Sequence, residues 1–177
     1  MPTDLRNLAA SKEKIREIAT DVFRYITSIP AEVRGDSKER TGICVLVGQP
    51  DSRNFVMFPI GEPPDVSKFF CPEKAARASV HGHFSSGNTR DPDRCLYAGC
   101  IAVQMLNEAD VRTILIQCSI SGLQENEDVV ASILTLTTFL GVNTGDICQW
   151  VQDNGGVLPE ELFQRGHYLN NLLFPRP

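Results

Sequence analysis

The residues whose types and spacing come nearest to a binding site run from Lys74 to His83, in Lys-Ala-Ala-Arg-Ala-Ser-Val-His-Gly-His. Cys71-Pro72-Glu73 reads as the opening of a helix, with proline at its first position and an acid beside the positive dipole end. Lys74 then stands in a first turn, where the dipole disfavours a cation, so it calls for a carboxylate partner or a ligand acid. Arg77, almost one turn further on, can support the same anion. His81 and His83 bracket Gly82: on a continuing helix they face different ways, whereas a helix ending at Gly82 lets them converge on a metal. The plainer alternative is a solvated lysine and a pair of helix-end histidines.

A second candidate is Ser121-Gly122, which closes a strand and leads through Leu-Gln-Glu-Asn-Glu to Asp128 at the start of another helix. Free backbone N–H groups at a helix start can bind phosphate or carboxylate. Glu125, Glu127 and Asp128 already supply that negative charge, which favours a structural cap and leaves Ser121 and Gly122 as pocket-wall residues. No Gly-x-Ser-x-Gly elbow, phosphate loop, His-x-x-x-His or Cys-Pro-x-x-Cys occurs, and the six cysteines contain no Cys-x-x-Cys pair. An enzyme built from this chain would use Lys74, His81 and Ser85-Ser86 around a small organic acid, but a non-catalytic module fits the residues better.

Composition narrows the partners. Seventeen Lys and Arg against 22 Asp and Glu leave a net charge of −5, and the densest basic stretch, Arg34 to Arg40, is interrupted by Asp36 and Glu39. That argues against nucleic acid and for a charged surface loop. No apolar run reaches the roughly 20 residues of a membrane helix, and the start lacks a signal-peptide core, so a cytoplasmic protein is expected. Cysteines lying inside strand-like runs read as core residues with free thiols.

The elements that must position these residues follow from periodicity. Ile15, Ile18, Val22, Tyr25, Ile26 and Ile29 mark a helix from about Ser11 to Ile29, stopped by Pro30. Ile43 to Val47 and Phe55 to Phe58 form a hairpin, and the unbroken apolarity of its first strand places that strand centrally. The Lys74 helix buries Ala76, Val80 and Phe84 in this reading, and a polar loop follows from Ser85 to Arg94. Leu96 to Val103 and Thr113 to Ile120 make a second hairpin, then Val129 to Leu140 a helix closed by Gly141. The 177 residues suit one α+β domain over 1–141, with 142–177 as its C-terminal helical appendage. Leu162, Phe163, Leu169, Leu172 and Leu173 make that tail apolar enough to expect an interface with another chain.

Three stretches carry a resemblance: Ser119 to Asp128 before the last core helix, Glu73-Lys74-Ala75 with Phe84-Ser85-Ser86, and Tyr97-Ala98-Gly99-Cys100-Ile101-Ala102-Val103. In this order, over about Lys12 to Leu140, they resemble the GlcG/HbpS-like (haem-degrading-domain) family, most closely its uncharacterised intracellular branch. The resemblance implies a profilin-like arrangement, with helices flanking an antiparallel sheet of about five strands; four are legible from the residues. It also implies a homo-oligomer and, for some relatives, haem. The expected site lies between the Lys74 helix, the 85–94 loop and the Gly99 strand. Lys74, Arg77, His81, His83, Gly99, Ser121 and Gly122 are its candidate residues, and haem or a small acidic ligand is the candidate occupant. The alternative from another class is a cytosolic scaffold or cochaperone-like protein whose working surface is the tail.

Overall fold

The computed structural model describes residues 5, 7–36, 38–50, 52–107 and 112–175. It is the expected α+β fold. Strands β1 (Gly42–Gly48), β2 (Phe55–Gly61), β3 (Cys100–Asn107) and β4 (Arg112–Ser121) form one antiparallel sheet in the order β2-β1-β4-β3. β1 is interior, pairing Val45 with Phe58 on one side and Ile120 on the other, and all seven of its residues are buried. Its unbroken apolarity is explained by cover on both faces.

One face carries Ile43, Val45, Val47, Phe58, Ile116, Cys118 and Ile120, packed against α1 (Lys12–Thr27) and α4 (Glu125–Leu140). The opposite face carries Cys44, Leu46 and Cys100 and is covered by α3 (Asp65–Val80) through Cys71, Ala75 and Ala78. Small side chains let α3 lie close to the sheet. Beneath it the outward positions of β4 are polar: Ser119 Oγ donates to the Cys71 carbonyl at 2.6 Å, and Ser79 Oγ to Gln117 Oε1 at 3.2 Å.

α3 departs from the sequence expectation. It begins at Asp65 behind Pro64, and Pro72 lies inside it. The expected start with Pro72 at the first helical position is corrected: the proline that marks the start is Pro64, at the N-cap, and Pro72 lies about two turns inside. The shift of phase exposes Ala76 and Val80 and turns Cys71, Lys74, Ala75 and Ala78 inward. Phe84 instead stacks edge-on against Trp150, with centroids 4.6 Å apart.

The 31–40 stretch is also more than a surface loop. A short helical turn, α2 (Ala31–Arg34), buries Arg34, whose guanidinium grips Glu127 at 2.7 and 2.8 Å. Asp36, also buried, accepts from Arg40 Nε at 2.5 Å and lies 3.4 Å from Arg34. Burial alone would raise the Asp36 carboxyl; the hydrogen bonds from Arg40 and the Lys38 N–H, with the Arg40 and Arg34 charges, outweigh it and hold the carboxyl below its ordinary value.

The tail forms α5 (Thr144–Asp153) and α6 (Tyr168–Leu173) and folds back on its own chain. Ile147, Val151, Leu162, Leu169, Leu172 and Leu173 are buried in the same core as α4. The expectation that much of this apolar surface faces another chain is therefore corrected in favour of its alternative, a tail folded back on its own subunit: the leucines close that subunit's core, while Phe163 and Phe174 stay exposed. Among the described residues no single helix is long and apolar enough to cross a membrane. The one pair that passes together, α4 and α5, is bent by 115°.

Candidate functional site

β4 ends at Ser121, and the chain turns through Gly122, Leu123 and Gln124 into α4. The turn is fixed by its own acids. Glu127 accepts from the Gln124 N–H at 3.1 Å, and Asp128 Oδ1 from the Leu123 N–H at 3.0 Å. Glu125 accepts from the Ala98 N–H and from Arg90, both at 2.7 Å. The entry to the helix is thus held from within, the acids of its first turn accepting from the N–H groups of the two residues that precede it.

Lys74 crosses to this turn from the opposite side of the sheet. Its Nζ donates to Asp128 Oδ2 at 2.8 Å and to the Ile120 carbonyl at 3.1 Å, and the residue is 1% exposed. The crossing is possible because Gly99 stands where β3 begins. A Cβ there would lie 2.6 Å from Lys74 Nζ and 2.8 Å from the Ile120 carbonyl oxygen, and the backbone φ of +138° suits glycine alone. Burial pushes the Asp128 carboxyl up, while the charge and hydrogen bond of Lys74 pull it back; the net direction is upward.

A cavity of about 380 Å3 opens beside this pair. Pro64, Val66, Phe70, Tyr97 and Leu123 give it apolar walls, Lys74, Asp128, Ser121 and Gly122 border it, and Lys38, Glu39, Arg40 and Thr41 complete its lining. The positions of these last residues follow from the Arg34–Asp36–Arg40 network, with Arg40 also donating to the Gly122 carbonyl at 3.3 Å. Phe70 and Tyr97 stand edge to face, 5.5 Å between centroids.

Of the residues singled out in the sequence, Lys74, Ser121 and Gly122 therefore line one cavity, and Gly99 makes room behind Lys74. Arg77 has another task. It holds Glu73 at 2.7 Å and donates to the Ser86, Thr89 and Tyr97 carbonyls at 2.9, 3.2 and 2.6 Å, fastening the 85–97 segment that carries Tyr97. Ser85 and Ser86 are buried in that segment, and Ser85 Oγ ties it to the Val157 carbonyl at 2.7 Å. His81 and His83 lie past the far end of α3, where Gly82 at φ +64° stacks their rings 5.8 Å apart. Neither lines the cavity, being seven or more residues, about 10 Å of helix, beyond Lys74. Among the described residues no group of three His, Cys, Asp or Glu could hold a metal ion. Sequence reasoning missed Lys38, Arg40, Val66 and Phe70, whose assembly depends on contacts between distant segments.

No family model and no curated protein matches the chain. Among solved structures it is similar to a PduOC:heme complex, at 13% identity and a TM-score of 0.50, over 76% of this chain and 95% of that one. It is also similar to Klebsiella pneumoniae protein ORFY, at 13% identity and a TM-score of 0.49, over 73% and 88% of the two chains. A third likeness, to Ybr137w protein, has 18% identity and a TM-score of 0.43 over 70% and 77%. At these identities the likeness is one of fold: the chain has a GlcG/HbpS-like fold, a four-stranded antiparallel sheet between helices.

Proposed function

We propose that this protein is a non-catalytic, homo-oligomeric binding module of the cytoplasm, whose cavity takes a small ligand with a flat apolar body and an acid group. One observation carries the reading: the cavity combines apolar walls from Val66, Phe70, Tyr97 and Leu123 with the cationic side chain of Lys38 in its lining, beside Glu39 and an Arg40 that is already paired with Asp36. A few polar groups among apolar walls, in a volume of several hundred Å3, is the usual make-up of a small-molecule site. Lys74 and Asp128 satisfy each other and nearby backbone groups, so they hold the floor in shape and do not stand free as an acid and a base. Haem, a flat apolar ring with carboxylates, is the first ligand to test, since a protein of similar fold was solved as a heme complex.

The test is titration with haem, followed at the Soret band, and with small aromatic carboxylates, followed by calorimetry. The reading expects saturable binding of at least one of them, weakened by Lys38→Glu and by Phe70→Ala. Binding that survives both substitutions and is lost in His81→Ala or His83→Ala would place the ligand at the end of α3 and remove the cavity from consideration.

A further inference from the structure

The outer face of α3 is apolar where a helix of an isolated subunit would be polar. Val66, Phe69 and Val80 are 60%, 68% and 77% exposed, and Ala76 is exposed between them. With Glu73, these residues recur at alternating intervals of three and four, which aligns them in one stripe along the helix. Glu73 is the stripe's one charged residue, and its carboxylate is matched within the subunit by Arg77 at 2.7 Å.

We propose that this stripe is an interface between two copies of the chain, with α3 packed antiparallel to α3 of the second copy. The stripe is self-complementary. Run in opposite directions about its centre at Glu73, Val66 of each copy falls beside Val80 of the other and the large Phe69 beside the small Ala76, while the two Glu73 side chains meet with each already paired to its own Arg77. The exposed parts of the four apolar residues amount to on the order of 400 Å2 per copy, the size at which a contiguous patch marks an interaction site. Two copies contribute about 800 Å2, most of the roughly 1,000 Å2 that a specific interface needs, and the residues flanking the stripe supply the remainder. A charged partner would find nothing on the stripe to pair with, because Glu73 is already neutralised.

The same arrangement places the second copy at the mouth of the cavity. Val66 belongs both to the stripe and to the cavity wall. Phe69 leans edge-on against Phe70 at 5.6 Å, and Phe70 in turn against Tyr97. Pressure on the stripe is therefore applied to the cavity's aromatic wall.

Sedimentation velocity on the full chain, from low micromolar to hundreds of micromolar, tests the proposal. The wild type should self-associate. Phe69→Glu and, separately, Val80→Glu should weaken association by about tenfold or more, with unchanged circular dichroism. Val33→Glu and Phe163→Glu, at exposed apolar residues elsewhere, should leave it intact. A wild type that stays monomeric throughout overturns the proposal, and so does association that neither α3 substitution weakens. Capture of a lipid vesicle or a different protein by the stripe of a monomeric wild type would assign the face to that occupant instead.

Discussion

Lys74 Nζ lies 2.8 Å from Asp128 Oδ2, joining helices on opposite faces of the sheet across 54 positions of sequence. Both side chains are almost fully buried. Removing one partner leaves a buried charge without its counter-ion, so Lys74→Met or Asp128→Leu alone should cost about 3–5 kcal/mol. The double substitution removes both charges and should recover most of that loss. Urea unfolding of the four proteins checks this through their coupling; additive losses would show that the pair contributes little as a pair.

Gly99→Ala should be almost as damaging. The substitution places a methyl group against Lys74 Nζ and the Ile120 carbonyl and forces an L-residue to φ +138°. Strain of this kind costs about 1–3 kcal/mol before any displacement of Lys74. Gly155→Ala, also at positive φ (+75°) but with nothing within 4 Å of its Cβ, isolates the contribution of the clash. Equal melting temperatures for the two variants would contradict the role assigned to Gly99.

Acid should release the 34–40 segment. The Asp36 carboxyl is held below its ordinary value, so the stability it contributes is full above the unfolded carboxylate range near pH 4 and is lost as pH falls through its folded value. Asp36→Asn should therefore lower stability at neutral pH and flatten its decline in acid. Parallel acid profiles for wild type and variant would show that Asp36 is not linked to folding.

Thiol reactivity should divide the cysteines sharply. All six are free; Cys95 is exposed, and the other five are buried. Burial pushes the Cys100 thiol up to about 12 and that of Cys148 up to about 11, which suppresses the reactive thiolate. An aromatic disulfide reagent should titrate one thiol quickly and the others only after denaturation. Several fast thiols in the native protein would show that the core opens readily.

Much of the frame is legible in the residues, and the failures share one cause. The two hairpins, the central β1, the helix from Lys12 and the acid-rich start of α4 follow from local periodicity and capping. A carboxylate partner is one of three readings the sequence leaves open for Lys74, beside a ligand acid and a solvated lysine; contact with Asp128 selects it, while the first-turn reason fails because Lys74 is mid-helix. What stayed hidden depends on residues far apart in the chain. Pro64 and Pro72 both suit a helix start, and only packing of Cys71 and Ala78 on the sheet selects between them. Arg34 and Asp36 look like solvent-facing charges until Glu127, 93 positions away from Arg34, is placed against them. The tail's leucines carry the same pattern whether they cover their own core or another subunit's.

Deleting the tail separates those last two roles. Because Ile147, Val151, Leu162 and Leu169 share a core with α4, truncation after Gly141 should unfold or aggregate the protein. A truncated chain that remains folded, with cooperative thermal unfolding, would make the tail dispensable to the subunit.

The most direct test of the binding module is to see where a ligand lands. Gallium protoporphyrin, a diamagnetic stand-in for haem, and a simple aromatic carboxylate can each be titrated into isotope-labelled protein while backbone amide shifts are followed. The account predicts saturable shifts in at least one titration, confined to residues 38–41, 66–70 and 121–125 and reduced in Lys38→Glu. Saturable shifts centred on His81 and His83, or none with either probe, would contradict it.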